Sequence, residues 1–283
     1  MAGNMASFNI KLCKAAAVGS EALLKGLLGE PGCDALGKDE DGWTALMHAA
    51  HNGHEGCVRL LLPTGGTLGH DKYGFTALAR AACSGNEACV RLLLPTSDAL
   101  AQDSSGRTAL MHASYYGHKE CVGLLISASD ALAKDKDDWT ALMWAAQSGD
   151  EACVELLLPQ SDALHHSVGG MTALMWAAYH GHEACLNLLL PASDAEAREA
   201  NGKMALMWAA CMGHKACVAL LLPTSDALAK DHEGLTASAW SRKESHESLA
   251  QFIDAYALAQ SEQISIGFAV SFGTQRKQPA RRV

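Results

Sequence analysis

Apolar residues recur along this chain at a fixed interval. Leu46, Leu78, Leu110, Leu142, Leu174 and Leu206 stand 32 residues apart, and so do Cys57, Cys89, Cys121, Cys153, Cys185 and Cys217. A third phase, Gly42, Gly74, Gly106, Asp138, Gly170, Gly202 and Gly234, carries the beat through seven cycles. A period in this range means that no unit can bury its apolar face alone. Each unit buries it against its neighbours, and the product is a solenoid.

Within a cycle the spacing predicts two short helices. In the second cycle Thr76 is placed to cap a helix on which Ala77, Leu78, Ala81 and Ala82 share one side. Gly85 is expected to end that helix in the left-handed conformation. The next helix is predicted from about Asn86 to Leu94, with Pro95 closing it. Small alanines on the first helix let the second come close. A loop carrying Asp98, Asp130, Asp162, Asp194 or Asp226 then leads onward. At the start of the second helices stand His54, Asn86, His118, Asp150, His182, His214 and His246. Their short side chains are expected to accept a backbone hydrogen bond there.

The stretch GWTALMHAAHNGHEGCVRLLLP, from Gly42 to Pro63, resembles the ankyrin repeat, whose pattern is roughly G-x-T-P-L-H-x-A-A-x-x-G-H followed by an apolar helix. The resemblance runs from Gly42 to about Ile253, and more weakly over Leu12 to Leu28. It implies an all-α ankyrin-repeat solenoid of helix-turn-helix units with short hairpin loops. The phrasing is similar to that of ankyrin-only arrays expanded in some unicellular parasites. The implied organisation is an N-terminal capping unit and loop over 1–41, six 32-residue repeats over 42–233, and a C-terminal capping repeat over 234–261. A disordered basic tail is expected over 262–283, with an import or docking signal as its functional alternative. Three departures from the family pattern stand out. Ala45, Ala77 and Ala109 replace proline, which a helix accepts readily. Met47, Met111, Met143, Met175 and Met207 replace the family's histidine and its hydrogen bonds. The inter-repeat loop is one residue short, so stubby fingers are expected.

The net charge of −9, with Arg276, Lys277, Arg281 and Arg282 gathered in the final eight residues, describes an acidic body and argues against a nucleic-acid partner. No apolar run reaches the roughly 18 to 20 residues that span a bilayer, so no membrane partner is expected. MAGNMASFNIKLCK has no basic stretch leading into a long apolar one, and an intracellular, cytoplasmic location is expected.

Chemistry-bearing residues mostly dissolve into the repeat. GCDALGK, from Gly32 to Lys38, fits the phosphate-loop spacing. Asp39 then puts a carboxylate where a metal-holding Ser or Thr belongs, and the stretch lies in an inter-repeat loop. The six periodic cysteines would sit about 8 to 10 Å apart on stacked helices. A disulfide needs roughly 7 Å or less, so they read as small buried hydrophobes. Histidines 48, 51 and 54 lack the spacing of a zinc motif. No nucleophile elbow or triad is visible. We therefore expect no enzyme, no cofactor and no metal.

A binding face emerges by subtracting the repeat. The position after the turn glycine varies: Trp43, Phe75, Arg107, Trp139, Met171, Lys203 and Leu235. The pair ending each first helix varies too, giving Tyr115 and Tyr116, Tyr179 and His180, and Cys211 and Met212. In the ankyrin family, residues at such positions line the inner, partner-facing surface. A last position reads His48, Arg80, His112, Trp144, Trp176, Trp208 and Trp240. It lies three and four residues before the variable pair, hence on the same helix face. Its mixture of Trp, His and Arg predicts partial exposure. The candidate partner-binding set is Trp43, Phe75, Arg107, Tyr115, Tyr116, Trp139, Trp144, Trp176, Tyr179, Trp208, Met212 and Trp240. Either these indoles meet a partner or they lie across neighbouring repeats and tighten the stack. The implied protein is a monomeric scaffold or adaptor for a protein partner. The alternative is a regulatory or targeting subunit of an enzyme such as a protein kinase.

Overall fold

The computed structural model describes residues 2–275, with side chains over 8–261. Among these residues the chain forms sixteen α-helices in consecutive antiparallel pairs. The first pair is α1 (Ala2–Ala17) and α2 (Glu21–Leu28). Six pairs of near-uniform length follow: α3 (Ala45–His51) and α4 (Glu55–Leu61), α5 (Ala77–Cys83) and α6 (Glu87–Leu93), α7 (Ala109–Tyr115) and α8 (Lys119–Leu125), α9 (Ala141–Ser148) and α10 (Glu151–Leu157), α11 (Ala173–His180) and α12 (Glu183–Leu189), and α13 (Ala205–Cys211) and α14 (Lys215–Leu221). The last pair is α15 (Ala237–Lys243) and α16 (Glu247–Gln275). Helix α16 enters the segment expected as a tail, and RKQPARRV lies outside the described residues.

Threonine starts most first helices. Thr44, Thr76, Thr108, Thr140 and Thr172 each accept the N–H three residues on through Oγ1, the N-cap bond that fills one orphan donor. Met204 stands in the same place before α13 with no side-chain bond to offer. Pro95 does not simply close α6. It lies inside a 3₁₀ turn, Leu94–Thr96, that carries the chain out of the helix, where a missing N–H costs nothing. The same turn recurs after α4, α10, α12 and α14.

First helices stack on first helices and second helices on second, along the whole array. The first helices lie closer together than the second ones. Alanine makes this approach affordable: Ala49, Ala50, Ala81, Ala82, Ala145 and Ala146 are fully buried. The core is one continuous cluster from Leu12 to Ile253, as expected where units bury their faces only against neighbours.

The residues before the second helices behave differently from expectation. Only Asp150 caps, accepting the Cys153 N–H at 2.7 Å. The histidines reach back to the preceding unit instead. Nε2 of His54, His118, His182 and His214 donates to the carbonyls of Ala17, Cys83, Gln147 and Tyr179, at 3.0 to 3.1 Å. Asn86 does the same through Nδ2 to Ala50 and His51. These carbonyls end the previous first helix and need donors, so the side chain satisfies a neighbour and not its own helix. The ring must cross the preceding glycine. A Cβ on Gly85 would stand 2.6 Å from the His118 ring, and φ there is +72°. That position therefore excludes a side chain twice over.

All ten cysteines are free. Burial pushes the thiols of Cys89, Cys121, Cys185 and Cys217 up to about 11, consistent with inert core positions. Lys38, the last residue of the phosphate-loop match, donates to the His70 carbonyl at 2.6 Å.

Candidate protein-binding face

All but one of the hairpin turns are organised by an acidic residue, Ser167 being the exception. Asp135 is typical. Its Oδ1 accepts the N–H groups of Asp137 and Trp139 at 3.0 and 2.9 Å, closing the turn. Its Oδ2 is left over, buried, and takes the Trp144 indole N–H at 3.1 Å. The pairing recurs nine residues apart along the array. Asp39 takes His48 Nε2 at 2.7 Å, Asp103 takes His112 Nε2 at 2.9 Å, and Asp231 takes Trp240 Nε1 at 2.7 Å. Asp71 takes Arg80, with the Nε bond at 3.0 Å.

This corrects in part the sequence-based reading of the tryptophan position. Histidine, arginine and tryptophan alternate there because each can donate an N–H to a buried carboxylate. The expected partial exposure holds at His48, Arg80, Trp176 and Trp208, whereas His112, Trp144 and Trp240 are buried. Trp144 and Trp240 are only 9% and 5% exposed, and Trp176 and Trp208 are half-buried. The partner residues, Asp39, Asp71, Asp103, Asp135 and Asp231, escaped attention in the sequence, although they form their own column at the same period. That column breaks at two places, Ser167 and Glu199, and there Trp176 Nε1 and Trp208 Nε1 are buried without a partner. Ser167 is too short, its Oγ already accepting the Met171 N–H. Glu199 folds both oxygens onto its own turn, at Asn201 and Lys203.

Burial pushes the carboxyl of Asp103 up, but the His112 bond and the N–H groups of Arg107 and Ser105 outweigh it and hold it below the ordinary range. Asp39 and Asp231 are lowered by the same balance, with His48 and Trp43 opposing burial in one and Leu235 and Trp240 in the other.

The residues after the turn glycines fill the gaps in this row. Equivalent tryptophans do not stack on one another. Trp139 lies between two of them, with ring centroids 4.5 Å from Trp144 and 4.4 Å from Trp176. Phe75 lies between Arg80, whose guanidinium is 4.0 Å from its ring, and His112 at 4.7 Å. Trp43 bridges His48 at 4.9 Å and Arg80 at 4.1 Å. Arg107 covers the Trp144 ring at 4.4 Å, and Lys203 stands over both Trp208 and Trp240, at 4.3 and 3.7 Å. Rings and cations thus alternate across repeat boundaries, and such pairs stabilise by roughly 0.5 to 1.5 kcal/mol each.

The remaining candidates stand clear of the ladder. Tyr115 and Tyr116 are 41% and 54% exposed, in edge-on contact at 4.9 Å, and Met212 is 40% exposed. Tyr179 is half-buried, its ring edge-on to Trp208 at 5.4 Å. Tyr115 meets Trp144 in the same way at 5.3 Å, so the buried ladder supports the exposed rings from beneath. At the first repeat the face opens into a depression of about 480 Å³ lined by Trp43, His48, His51, Asn52, Tyr73 and Arg80.

Comparison with known proteins agrees with the repeat architecture. A family model described as "Ankyrin repeats (3 copies)" matches residues 12–103, 95–167, 124–199 and 160–232. Cortactin-binding protein 2 from Ornithorhynchus anatinus is 54% identical over 52 residues, which is 18% of this chain and 3% of that protein. Its counterparts from Echinops telfairi and Mus musculus are 55% identical over 51 residues, with the same coverage. The chain thus spans about 3% of the length of these curated relatives. Among the described residues no helix is long and apolar enough to cross a membrane.

Proposed function

The chain belongs to the ankyrin-repeat family, and from that premise we propose that it is a non-enzymatic intracellular scaffold or adaptor that holds a protein partner on its first-helix face. The observation that carries this reading is the exposure of Tyr115, Tyr116 and Met212 at positions the repeat leaves variable, above a row of side chains committed to the fold. A structural requirement accounts for the aspartates, the alanines and the indoles. Nothing in the repeat requires two solvent-facing tyrosines at adjacent positions, and tyrosine is among the side chains enriched at binding hot spots. Rings already held by the ladder lose little conformational freedom on binding, which favours affinity.

The short relatives share a stretch of repeat with this chain. What cortactin-binding protein 2 is named for binding is a property of a protein of which the match covers 3%. The reading here rests on this chain's own exposed residues. Affinity purification of the full chain, followed by hydrogen exchange on the complex it yields, tests it. Protection is expected over residues 115–116, 179–180 and 212. Protection confined to the second helices would contradict it.

A further inference from the structure

The first repeat boundary differs from the others in one respect. Cys13 of α1 corresponds in register to Met47, since Ala15, Ala16 and Gly19 match Ala49, Ala50 and Gly53. Further along the array the same place holds Ala79, Met111, Met143, Met175 and Met207. Of these, Ala79, Met111 and Met207 lie one unit before an acid–donor pair, at Asp103 with His112, Asp135 with Trp144 and Asp231 with Trp240. Among the described residues, thiol, carboxylate and imidazole come together only at the first boundary. Cys13 Sγ, an Asp39 oxygen and a His48 ring nitrogen all lie within 4.8 Å of one another.

Two members of this trio are accessible, while Cys13 beneath them is 3% exposed. The side chains of His48 and Asp39 are 22% and 20% exposed, against 5% and 4% for the equivalent His112 and Asp103. They open into a cavity of about 440 Å³ that Cys13, Glu40, Asp41 and Lys14 also line. In Asp39, Oδ1 is occupied by the N–H groups of Asp41 and Trp43, whereas Oδ2 faces only His48. Cys13 Sγ donates weakly to the Trp43 carbonyl at 3.6 Å.

We propose that Cys13, Asp39 and His48 form a binding site for a borderline divalent ion of the zinc type, with solvent in the fourth position. Around zinc, sulfur sits at about 2.3 Å and nitrogen or oxygen at about 2.0 to 2.2 Å, so tetrahedral ligand atoms lie roughly 3.3 to 3.8 Å apart. The 2.7 Å contact between His48 and Asp39 would part by under about 1 Å, and Cys13 would turn inward. On binding, the Cys13 S–H bond breaks, its proton passes to solvent, and the sulfur forms the metal bond. The His48 Nε2–H bond to Asp39 also breaks, its proton passing to solvent while Nδ1 takes one up, so that the neutral ring supplies the Nε2 lone pair. Asp39 is already ionised. Magnesium and calcium, which favour oxygen ligands, fit this set poorly. The ion would tie α1 to the first hairpin, and this inference is independent of the partner-binding reading.

Cobalt(II) titration of the full reduced chain tests it, because a cobalt–thiolate bond gives a charge-transfer band that oxygen and nitrogen ligands do not. One equivalent binding with that band is expected, along with a rise in melting temperature under zinc and none under magnesium. Cys13→Met installs the residue used at Met47, and Cys13→Ala the one used at Ala79, so at least one should fold. Both should lose the band and weaken zinc binding by at least about 100-fold, the upper end of what losing a mere outer-shell partner costs. His112→Gln should leave both readouts unchanged. A wild-type chain that shows no stoichiometric band, or a band that persists without Cys13, would overturn the site.

Discussion

Trp144 donates its indole N–H to Asp135, nine residues upstream, and so closes the space between a helix and the turn that leads into it. The same geometry accommodates histidine in α3 and α7, arginine in α5 and tryptophan in α15. The chemistry of the contact, a buried acceptor needing an N–H, decides which residue types are allowed.

Two repeats lack the acceptor, and restoring it should help. Ser167→Asp places a carboxylate where Asp135 stands in the preceding unit, able to keep the Met171 N–H and reach Trp176 Nε1. A buried donor without a partner costs roughly 1 to 3 kcal/mol, so stabilisation of about 1 kcal/mol is expected after desolvating the new charge. Glu199→Asp should act likewise on Trp208. Chemical denaturation checks both, and a destabilised Ser167→Asp would show that the orphaned indole is satisfied in some other way.

The acid–donor pairs also set a pH dependence. Asp39, Asp103 and Asp231 have folded pKa values below their ordinary one. Stability from such groups is fully present above the ordinary carboxylate range and lost as pH falls through the folded value. The melting temperature should therefore drop steeply below about pH 4. Asp103→Asn should lower it at pH 7, and the gap to wild type should close in acid. A gap that stays constant to about pH 3 would contradict the assignment.

How much of this was legible in the sequence depends on the kind of constraint. The helices follow from leucine, alanine and glycine at a fixed period, because backbone geometry and burial act on residue type alone. Thr76 as a cap and Gly85 as a stop are local, and local rules sufficed. His118 was misjudged as a cap because its partner, the Cys83 carbonyl, lies 35 residues away, where no spacing within a repeat points. The Asp–Trp relation was missed for another reason. The aspartate column is visible, but only three-dimensional packing shows that one carboxylate oxygen remains free after the turn is closed. Tyr115 and Tyr116 stand out because the repeat does not explain them, and both side chains are exposed.

Backbone conformation supplies a further prediction. Gly74 has φ of +84°, and a Cβ there would come within 2.8 Å of the Ser104 nitrogen in the next hairpin. Gly74→Ala should cost about 1 to 2 kcal/mol from the left-handed conformation alone, and more from the contact. Asp138 occupies the equivalent place with φ of 58°. Asp138→Gly should accordingly stabilise the chain by up to about 1 kcal/mol, measured by thermal melting. A loss of stability in that variant would mean that the aspartate side chain compensates for its backbone.

The division between a ladder that builds the fold and tyrosines that meet a partner is tested most directly by one paired measurement. Melting temperature and partner retention should be compared for Trp144→Ala and for Tyr115→Ala with Tyr116→Ala. Removing a buried indole costs about 3 to 5 kcal/mol, so Trp144→Ala should lower the melting temperature sharply. The tyrosine variant should melt near wild type and release the partner. Retention of the partner by the tyrosine variant, at an unchanged melting temperature, would contradict the proposed face.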